Sequence, residues 1–184
     1  MSLVTLMVLG AIKRRYSAHG YAIHRDFVKW RIETWTVIRP GSIYHALEQM
    51  EKQSLIVEVS DHGKKLGPSK TEYKLTVKGE HQFVALLELA LKDINLIELS
   101  AGIAFMEYLP RQKVVELLRQ RLIAQERISY FLKTLPVEGR PDTPSKHPEL
   151  IRIWSDNYAD AAASTEKLIT AIKSGKYVFK DEEE

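Results

Sequence analysis

The stretch of residues 39–56 constrains the fold more strongly than any other part of the chain. At about 100° per residue, its apolar side chains gather on one side of a helix and its polar ones on the other. The first side carries Ile43, Ala46, Leu47, Met50 and Ser54, and the opposite side carries Gly41, His45, Glu48 and Lys52. The stretch therefore predicts a helix with one face in a core and the other face open.

The beginning of this predicted helix is slim. Pro40 suits the first helical position, because its missing N–H would be unpaired there anyway. Gly41 and Ser42 follow it and add almost no bulk. Since the N–H groups at a helix start favour anions, this end of the helix can approach a phosphate closely.

The segments before residue 39 predict two further helices. Residues 3–13 are dense in apolar side chains, which indicates a helix buried on most sides. Residues 21–32 place Ile23, Phe27 and Trp30 at helical spacing. His19 lies in the turn between the two helices, and we expect it to shape that turn. His19 and His24 are five residues apart, whereas metal binding on one helix face prefers three or four, so we expect no metal site.

The segments after residue 54 predict a hairpin. Alternating residues indicate two short strands, at 55–60 and 72–76, with a turn-rich loop at 61–70 between them. The charges of this loop are Lys64, Lys65 and Lys70. Helix, helix, helix, strand, basic loop, strand is the order of a winged helix-turn-helix. In that fold the third helix enters the major groove of DNA and the loop lies against the backbone.

The second half of the chain predicts long amphipathic helices. Thr76 is a candidate cap for the first of them, and the predicted spans are 77–92, 94–109, 111–135 and 149–174, with a proline-rich linker at 137–148 and a disordered acidic end at 181–184. We therefore expect a mainly α protein with a winged helix-turn-helix at 1–80 and a helical domain at 81–184. The long apolar stripes of this second domain predict a homodimer joined by its helices, and a monomeric helical domain is the alternative.

Charge and composition agree with a polyanion-binding first half. Residues 1–80 contain 13 Lys and Arg against 8 Asp and Glu, a balance of +5, whereas residues 81–184 contain 14 against 16, a balance of −2. A basic excess on one domain favours nucleic acid as its partner. With no cysteine, the chain can form neither a disulfide nor a cysteine-ligated zinc site, which fits the cytoplasm.

The sequence lacks motifs typical of an enzyme and a segment typical of a membrane protein. The Gly-x-Ser-x-Gly, Gly-Lys-Ser/Thr and His-Glu-x-x-His motifs are all missing from it. Its most apolar window, residues 83–105, carries four charges that a bilayer centre would tolerate poorly. We therefore predict no enzymatic activity, no cofactor and no membrane span.

Three passages of the first half resemble the PadR family of bacterial transcriptional regulators. The main one runs through Pro40-Gly41-Ser42-Ile43-Tyr44 to Leu55-Ile56. His19-Gly20-Tyr21 is similar to the family's start of helix two, and Gly67-Pro68-Ser69-Lys70 with Tyr73 and Gly79 is similar to its wing. The chain departs from the family at Ser54, where glycine is common. A left-handed serine would cost about 1 kcal/mol, so we expect the helix to end differently.

The resemblance implies a homodimer that binds an inverted repeat in double-stranded DNA and usually represses transcription. At matching positions it implies helix contacts from Ser42, Tyr44 and His45, beside the outward Gly41 and Lys52, and wing contacts from Lys64, Lys65, Ser69 and Lys70. Tyr44 can instead support the helix. A winged-helix module that binds another protein is the alternative, favoured by the exposed Glu48.

The resemblance also implies release by a small aromatic or drug-like effector. The aromatic side chains that could line its site are Trp30, Trp35, Phe105, Trp154 and Tyr158. Each of them also suits a core position, which is the alternative interpretation.

Overall fold

The computed structural model describes residues 3–59, 71–135 and 148–182 of the chain. Its helices are α1 (Leu3–Arg15), α2 (Gly20–Lys29), α3 (Pro40–Lys52), α4 (Val77–Lys92), α5 (Leu96–Ile103), α6 (Arg111–Thr134) and α7 (Pro148–Lys173), and its strands are β1 (Ile56–Glu58) and β2 (Tyr73–Leu75). One compact unit comprises residues 1–90 and 100–105, and the other comprises 91–99 and 106–184. The predicted fold, a winged helix-turn-helix followed by helices, is confirmed. None of the described helices combines the length and the apolar character needed to cross a bilayer.

The core of the first unit forms around α1. Every residue of this helix from Leu6 to Ile12 is buried, as the dense apolar pattern predicted. α1 packs against α2, α3 and β2. Phe105 fills the space beside Gly10, where even one methyl group would overlap its ring. Burial on nearly all sides makes α1 the support against which the other two helices are positioned.

The two strands form a small antiparallel sheet. Ile56 is paired with Leu75 and Glu58 with Tyr73. The Val59 N–H donates to the Glu72 carbonyl over 2.8 Å, so pairing continues one step toward the connecting loop. Ala18, between α1 and α2, exchanges two backbone hydrogen bonds with Tyr73. The hairpin is therefore fixed to the turn before α2 as well as to the end of α3.

The end of α3 corrects the expectation that Ser54 would terminate the helix differently. Ser54 adopts the left-handed conformation, with φ 57°, that glycine usually supplies. Its N–H donates to the Glu51 carbonyl, and the Leu55 N–H donates to the Met50 carbonyl, both over 2.8 Å. This pair of bonds is a Schellman motif. The hydrogen bonds that it gains for the helix offset the strain at serine.

The start of α4 is fastened to that same turn. Thr76 caps α4 as predicted, because its Oγ1 accepts from the Gly79 N–H over 3.0 Å. The same hydroxyl lies 2.8 Å from the Ser54 carbonyl oxygen, and Lys78 Nζ donates to the Gln53 carbonyl over 2.8 Å. A side chain at Gly79 would overlap the carbonyl oxygen of Leu55. This overlap explains why glycine stands where a capping box would place Glu or Gln.

Two helix spans predicted from the sequence were wrong. The second helix was expected to reach residue 32 but ends at Lys29, because Arg31 turns the chain with a left-handed φ of 54°. The span expected at 94–109 divides into α5 and a 3₁₀ turn, Met106–Tyr108. α5 begins after Asn95, whose side-chain oxygen accepts from the Ile97 N–H over 2.8 Å.

The second unit is built on the pairing of α6 with α7, and its interface contains polar groups. Arg121 is only 2% exposed. Its guanidinium donates to Thr165 Oγ1 over 3.3 Å and to the Asn95 carbonyl over 3.4 Å. Thr165 Oγ1 also lies 2.9 Å from the side-chain oxygen of the buried Gln125. Burial lowers the pKa of Arg121, since it penalises the charged form.

The sequence predicted disorder at 181–184, and the structure contradicts this prediction for residues 181 and 182. Residues 180–182 form a 3₁₀ turn, and Phe179 is fully buried. The Arg111 guanidinium lies 4.7 Å from the centre of the Phe179 ring and donates to both carboxylate oxygens of Glu182, over 2.5 and 2.6 Å. It also donates to the carbonyls of Ile172 and Tyr177. One arginine thus holds the end of α7 and the residues that follow it.

Candidate nucleic-acid interface

The outward face of α3 is the centre of the candidate interface. Gly41, His45, Glu48 and Lys52 are exposed, whereas Ile43 and Met50 on the opposite face are 1% and 2% exposed. The two faces therefore divide as the periodicity predicted. Contact of the outward residues with DNA stays a prediction.

The start of α3 is open on its outer side. Arg39, in extended conformation, precedes Pro40 and provides no side-chain cap. A methyl group built at Gly41 would meet nothing within 4 Å. The Ser42 N–H donates to the Arg39 carbonyl over 2.9 Å, and the Ser42 side chain is half-buried. This helix end has the slim shape and the partial positive charge that suit a phosphate oxygen.

The charges on the outward face are partly paired with each other. Lys52 Nζ lies 2.7 Å from Glu48 Oε1, one helical turn away, and both side chains are exposed. The hydrogen bond from Lys52 holds the pKa of Glu48 below its usual range. The two charges of the pair cancel, so the helix alone supplies little electrostatic attraction to DNA.

The start of α2 supports α3 from the side. His19 caps α2, because its Nδ1 accepts from the Ala22 N–H over 3.1 Å, which confirms that it shapes the turn. The Tyr44 ring lies against Gly20, where a side chain would overlap it. Tyr44 is nevertheless 54% exposed, so one part of it packs and another part remains open. The pairing of Gly20 with Tyr44 escaped the sequence analysis, although both residues belong to the quoted motifs.

The predicted wing contacts cannot be placed. Lys64, Lys65, Ser69 and Lys70 lie outside the described residues. The described strands on either side of this segment, β1 and β2, are paired with each other. Arg39 is an exposed cation that sequence reasoning missed. Its position directly before Pro40 was the signal that could have identified it.

The five effector candidates fall into different surroundings. In the first unit, Trp30 packs edge-on against the buried Phe105 with 5.9 Å between ring centres, and the Arg14 guanidinium lies 5.2 Å from the Trp30 ring. Trp35 is half-buried in the connection to α3. In the second unit, Trp154 and Tyr158 stack on α7 with 5.9 Å between ring centres. The Phe105 ring is thus fully buried and Trp30 is half-buried against it, whereas Trp154 is 49% exposed.

Comparison with protein families gives one match. Residues 8–85 match the Transcriptional regulator PadR-like family. The matched residues run from α1 through the hairpin into α4. No curated protein matches the chain by sequence at the required significance.

Several solved structures are similar to the chain at low identity. Bacillus subtilis PadR in complex with operator DNA is 19% identical, with 92% of this chain and 98% of that chain covered and a TM-score of 0.42. The PadR-like transcriptional regulator BC1756 from Bacillus cereus is 17% identical, with 94% and 99% covered and a TM-score of 0.39. Bacillus subtilis PadR in complex with p-coumaric acid is 16% identical, with 92% and 99% covered and a TM-score of 0.36. Because these TM-scores are low, the similarity to PadR-like regulators rests on the family match of residues 8–85 and not on the solved structures.

Proposed function

We propose, from the premise that residues 8–85 belong to the PadR-like family of transcriptional regulators, that the protein is a dimeric DNA-binding repressor acting in the cytoplasm. The observation that carries this proposal is the open face of α3, whose opposite face is buried in the core. In a homodimer joined by C-terminal helices, two such faces would enter successive major grooves of an inverted repeat roughly 34 Å apart. Gly41, Ser42, Tyr44, His45 and Lys52 are the proposed helix contacts.

Charge supports the proposal and assigns a role to the loop. α3 contains Glu48 and Glu51 against Lys52, a formal balance of −1, so the attraction to phosphate must come largely from other residues. Lys64, Lys65 and Lys70 are close in sequence, and we assign them, with Ser69, to the DNA backbone. Contacts of this kind bind all sequences and position the helix that discriminates between them.

Salt dependence of DNA binding tests the loop assignment. Replacing Lys64, Lys65 and Lys70 with alanine should weaken binding to every duplex and shrink the slope of log affinity against log salt by about one per lost contact in each subunit. The control is an equal loss of charge at three exposed lysines of the second unit, Lys92, Lys167 and Lys173. An unchanged slope in the first variant would remove the loop from the interface.

The start of α3 is tested by one methyl group. Gly41→Ala meets no atom of the protein and places a better helix former inside α3, so folding should be unaffected or slightly stabilised. If a phosphate approaches this helix end, the same change should lower DNA affinity about tenfold. Retention of genomic DNA at low salt distinguishes a DNA-binding protein from a protein-interaction module, because such a module would retain no DNA.

We further propose release by a small aromatic or drug-like effector near the candidate tryptophans. Trp154 is the best placed of them to report a ligand, since its ring is half exposed and stacks on Tyr158. A fluorescence screen with phenolic and cationic compounds should therefore change the tryptophan emission. A flat response to both sets would remove this part of the proposal.

A further inference from the structure

A pocket of about 350 Å³ lies beside α3 in the first unit. It is formed by the start of α2, the middle of α3 and the strand β2. Its volume falls in the range of small-molecule sites, which is about 300 to 1,000 Å³. None of the five aromatic residues considered for an effector lines it, so it is a separate candidate site.

Aromatic rings form the walls of this pocket. His19 and Tyr21 stack with 6.2 Å between ring centres and 16° between planes. Tyr44 lies against Gly20 on the facing helix, and Tyr73 contributes from β2. The face of a tyrosine ring is electronegative and attracts cations. Three of the four rings are tyrosines, two of them more than half exposed, so they favour an organic cation.

Two carboxylates complete the lining. Glu48 and Glu51 reach the pocket from consecutive turns of α3, and Tyr73 Oη lies 3.5 Å from Glu51 Oε2. The pocket-lining residues that the structure describes include no Lys or Arg. Burial and the nearby Glu51 and Glu58 raise the pKa of Tyr73. Because Glu48 is already paired with Lys52, the carboxylate of Glu51 is the charge that makes the pocket favourable for a positive group.

We propose that this pocket binds an organic cation, of the quaternary or alkylammonium class. The ring faces would contact the alkyl groups around the nitrogen, Leu47 would provide an apolar floor, and Glu51 would supply the opposing charge. The pocket is less suited to an inorganic cation such as Ca²⁺, which takes roughly six to eight oxygen ligands, because only two of the lining side chains are carboxylates. The assignment goes beyond DNA binding and does not depend on it.

A charged probe and its neutral isostere test the proposal directly. Choline and 3,3-dimethylbutan-1-ol have nearly the same shape and differ in the positive charge. In an NMR titration of the whole 184-residue chain, choline should shift the amide signals of residues 19–21, 44–51 and 73, with an affinity about tenfold above that of the alcohol. Equal affinities, or shifts confined to other residues, would overturn the assignment.

Substitution of the opposing charge provides a second test. Glu51 is exposed on α3, so Glu51→Gln should leave the fold intact and weaken choline binding several-fold. Glu33→Gln, at an exposed position outside the pocket, is the matched control and should bind choline as the parent protein does. If the two variants bind choline alike, Glu51 has no part in a cation site.

Occupancy of the pocket should also change DNA binding, a step that rests on the proposed function. Tyr44 belongs both to the pocket and to the helix face proposed to enter DNA, so the two ligands should compete. At constant chloride, replacing potassium with choline should weaken binding of a duplex to the parent protein and much less so to Glu51→Gln. If choline binds but duplex affinity does not change, the cation site stands and its link to DNA is overturned. If no duplex binds, the choline titration still decides the site.

Discussion

Ser54 adopts a strained backbone conformation that the turn at the end of α3 requires. The Schellman turn at the end of α3 needs a left-handed residue, and serine adopts that conformation here with φ 57°. Glycine has no Cβ to clash in this region. We expect Ser54→Gly to raise the free energy of unfolding by about 0.5–1 kcal/mol, as measured by urea denaturation.

A second serine supplies the control for that change. Ser164 is exposed inside α7, where glycine should lower the free energy of unfolding by about 0.5 kcal/mol. The two serine-to-glycine changes are therefore expected to have opposite signs. A loss of stability at both positions would show that the turn at Ser54 is not strained.

The ion pair of Arg15 and Asp26 predicts a pH dependence. Asp26 is 7% exposed and accepts two hydrogen bonds from Arg15, over 2.5 and 2.6 Å. These bonds lower the pKa of Asp26 in the folded state. The ionised carboxylate therefore stabilises the fold above the unfolded-state pKa of about 3.9, and this contribution is lost as the pH falls through the lower folded-state pKa.

Removing the charge of Asp26 tests that dependence. Asp26→Asn should lower the free energy of unfolding by about 1–2 kcal/mol at neutral pH, and the difference from the parent protein should shrink below about pH 4. Urea denaturation at pH 7, 5 and 3 measures it. Asp156→Asn, at an exposed position on α7, should change stability little at any of these values. A difference that stayed constant with pH would mean that Asp26 acts through packing alone.

At the scale of elements, periodicity predicted the helices well and their ends less well. α3, α4 and α6 lie where the apolar spacing placed them, because each buries one face. The errors at α2 and α5 arise from local hydrogen bonds, the left-handed turn at Arg31 and the Asn95 cap, which have no periodic signal. Ends of helices depend on a few such bonds, and these depend on neighbours that are distant in sequence.

The features of the candidate interface also divide into those that the sequence could predict and those that it could not. The open and buried faces of α3 follow from one repeat, so sequence was sufficient to separate His45 from Met50. The pairing of Glu48 with Lys52 follows from their four-residue spacing as well. The pocket between α2, α3 and β2 does not, because it joins residues from 19 to 73 and requires the fold. Tertiary packing, rather than local pattern, brings those rings together.

Arg111 connects the start of α6 to the end of α7, and the helical pattern of the sequence did not predict this contact. Its guanidinium binds two backbone carbonyls and the Glu182 carboxylate and lies over the Phe179 ring. Lysine keeps the charge but cannot reproduce this planar fork. We expect Arg111→Lys to lower the free energy of unfolding of the second unit by about 1–3 kcal/mol and to speed amide exchange at residues 172–182. Arg119→Lys, exposed on the same helix, should do neither.

At the scale of the whole molecule, the described helices of the second unit carry large apolar side chains that are exposed. α6 exposes Ile123, Tyr130 and Phe131, and α7 exposes Leu150, Ile153 and Trp154. Large apolar side chains gain free energy when they are buried, so exposed ones on two paired helices favour contact with a partner. The interior between α6 and α7 is by contrast partly polar, with Arg121 and Gln125 buried in it. The outer surface is thus well suited to the second copy that the proposed repressor requires.

A charge on that surface should separate the copies. Ile153 is 65% exposed, so Ile153→Glu costs a single chain little but would bury an unpaired charge in an interface, at several kcal/mol. We expect the variant to sediment as a monomer at micromolar protein concentration. Its affinity for an inverted repeat should fall, whereas its affinity for a single half-site should not. Val37→Glu, at a 91% exposed position in the first unit, should remain dimeric. A dimeric Ile153→Glu protein would place the interface on another surface.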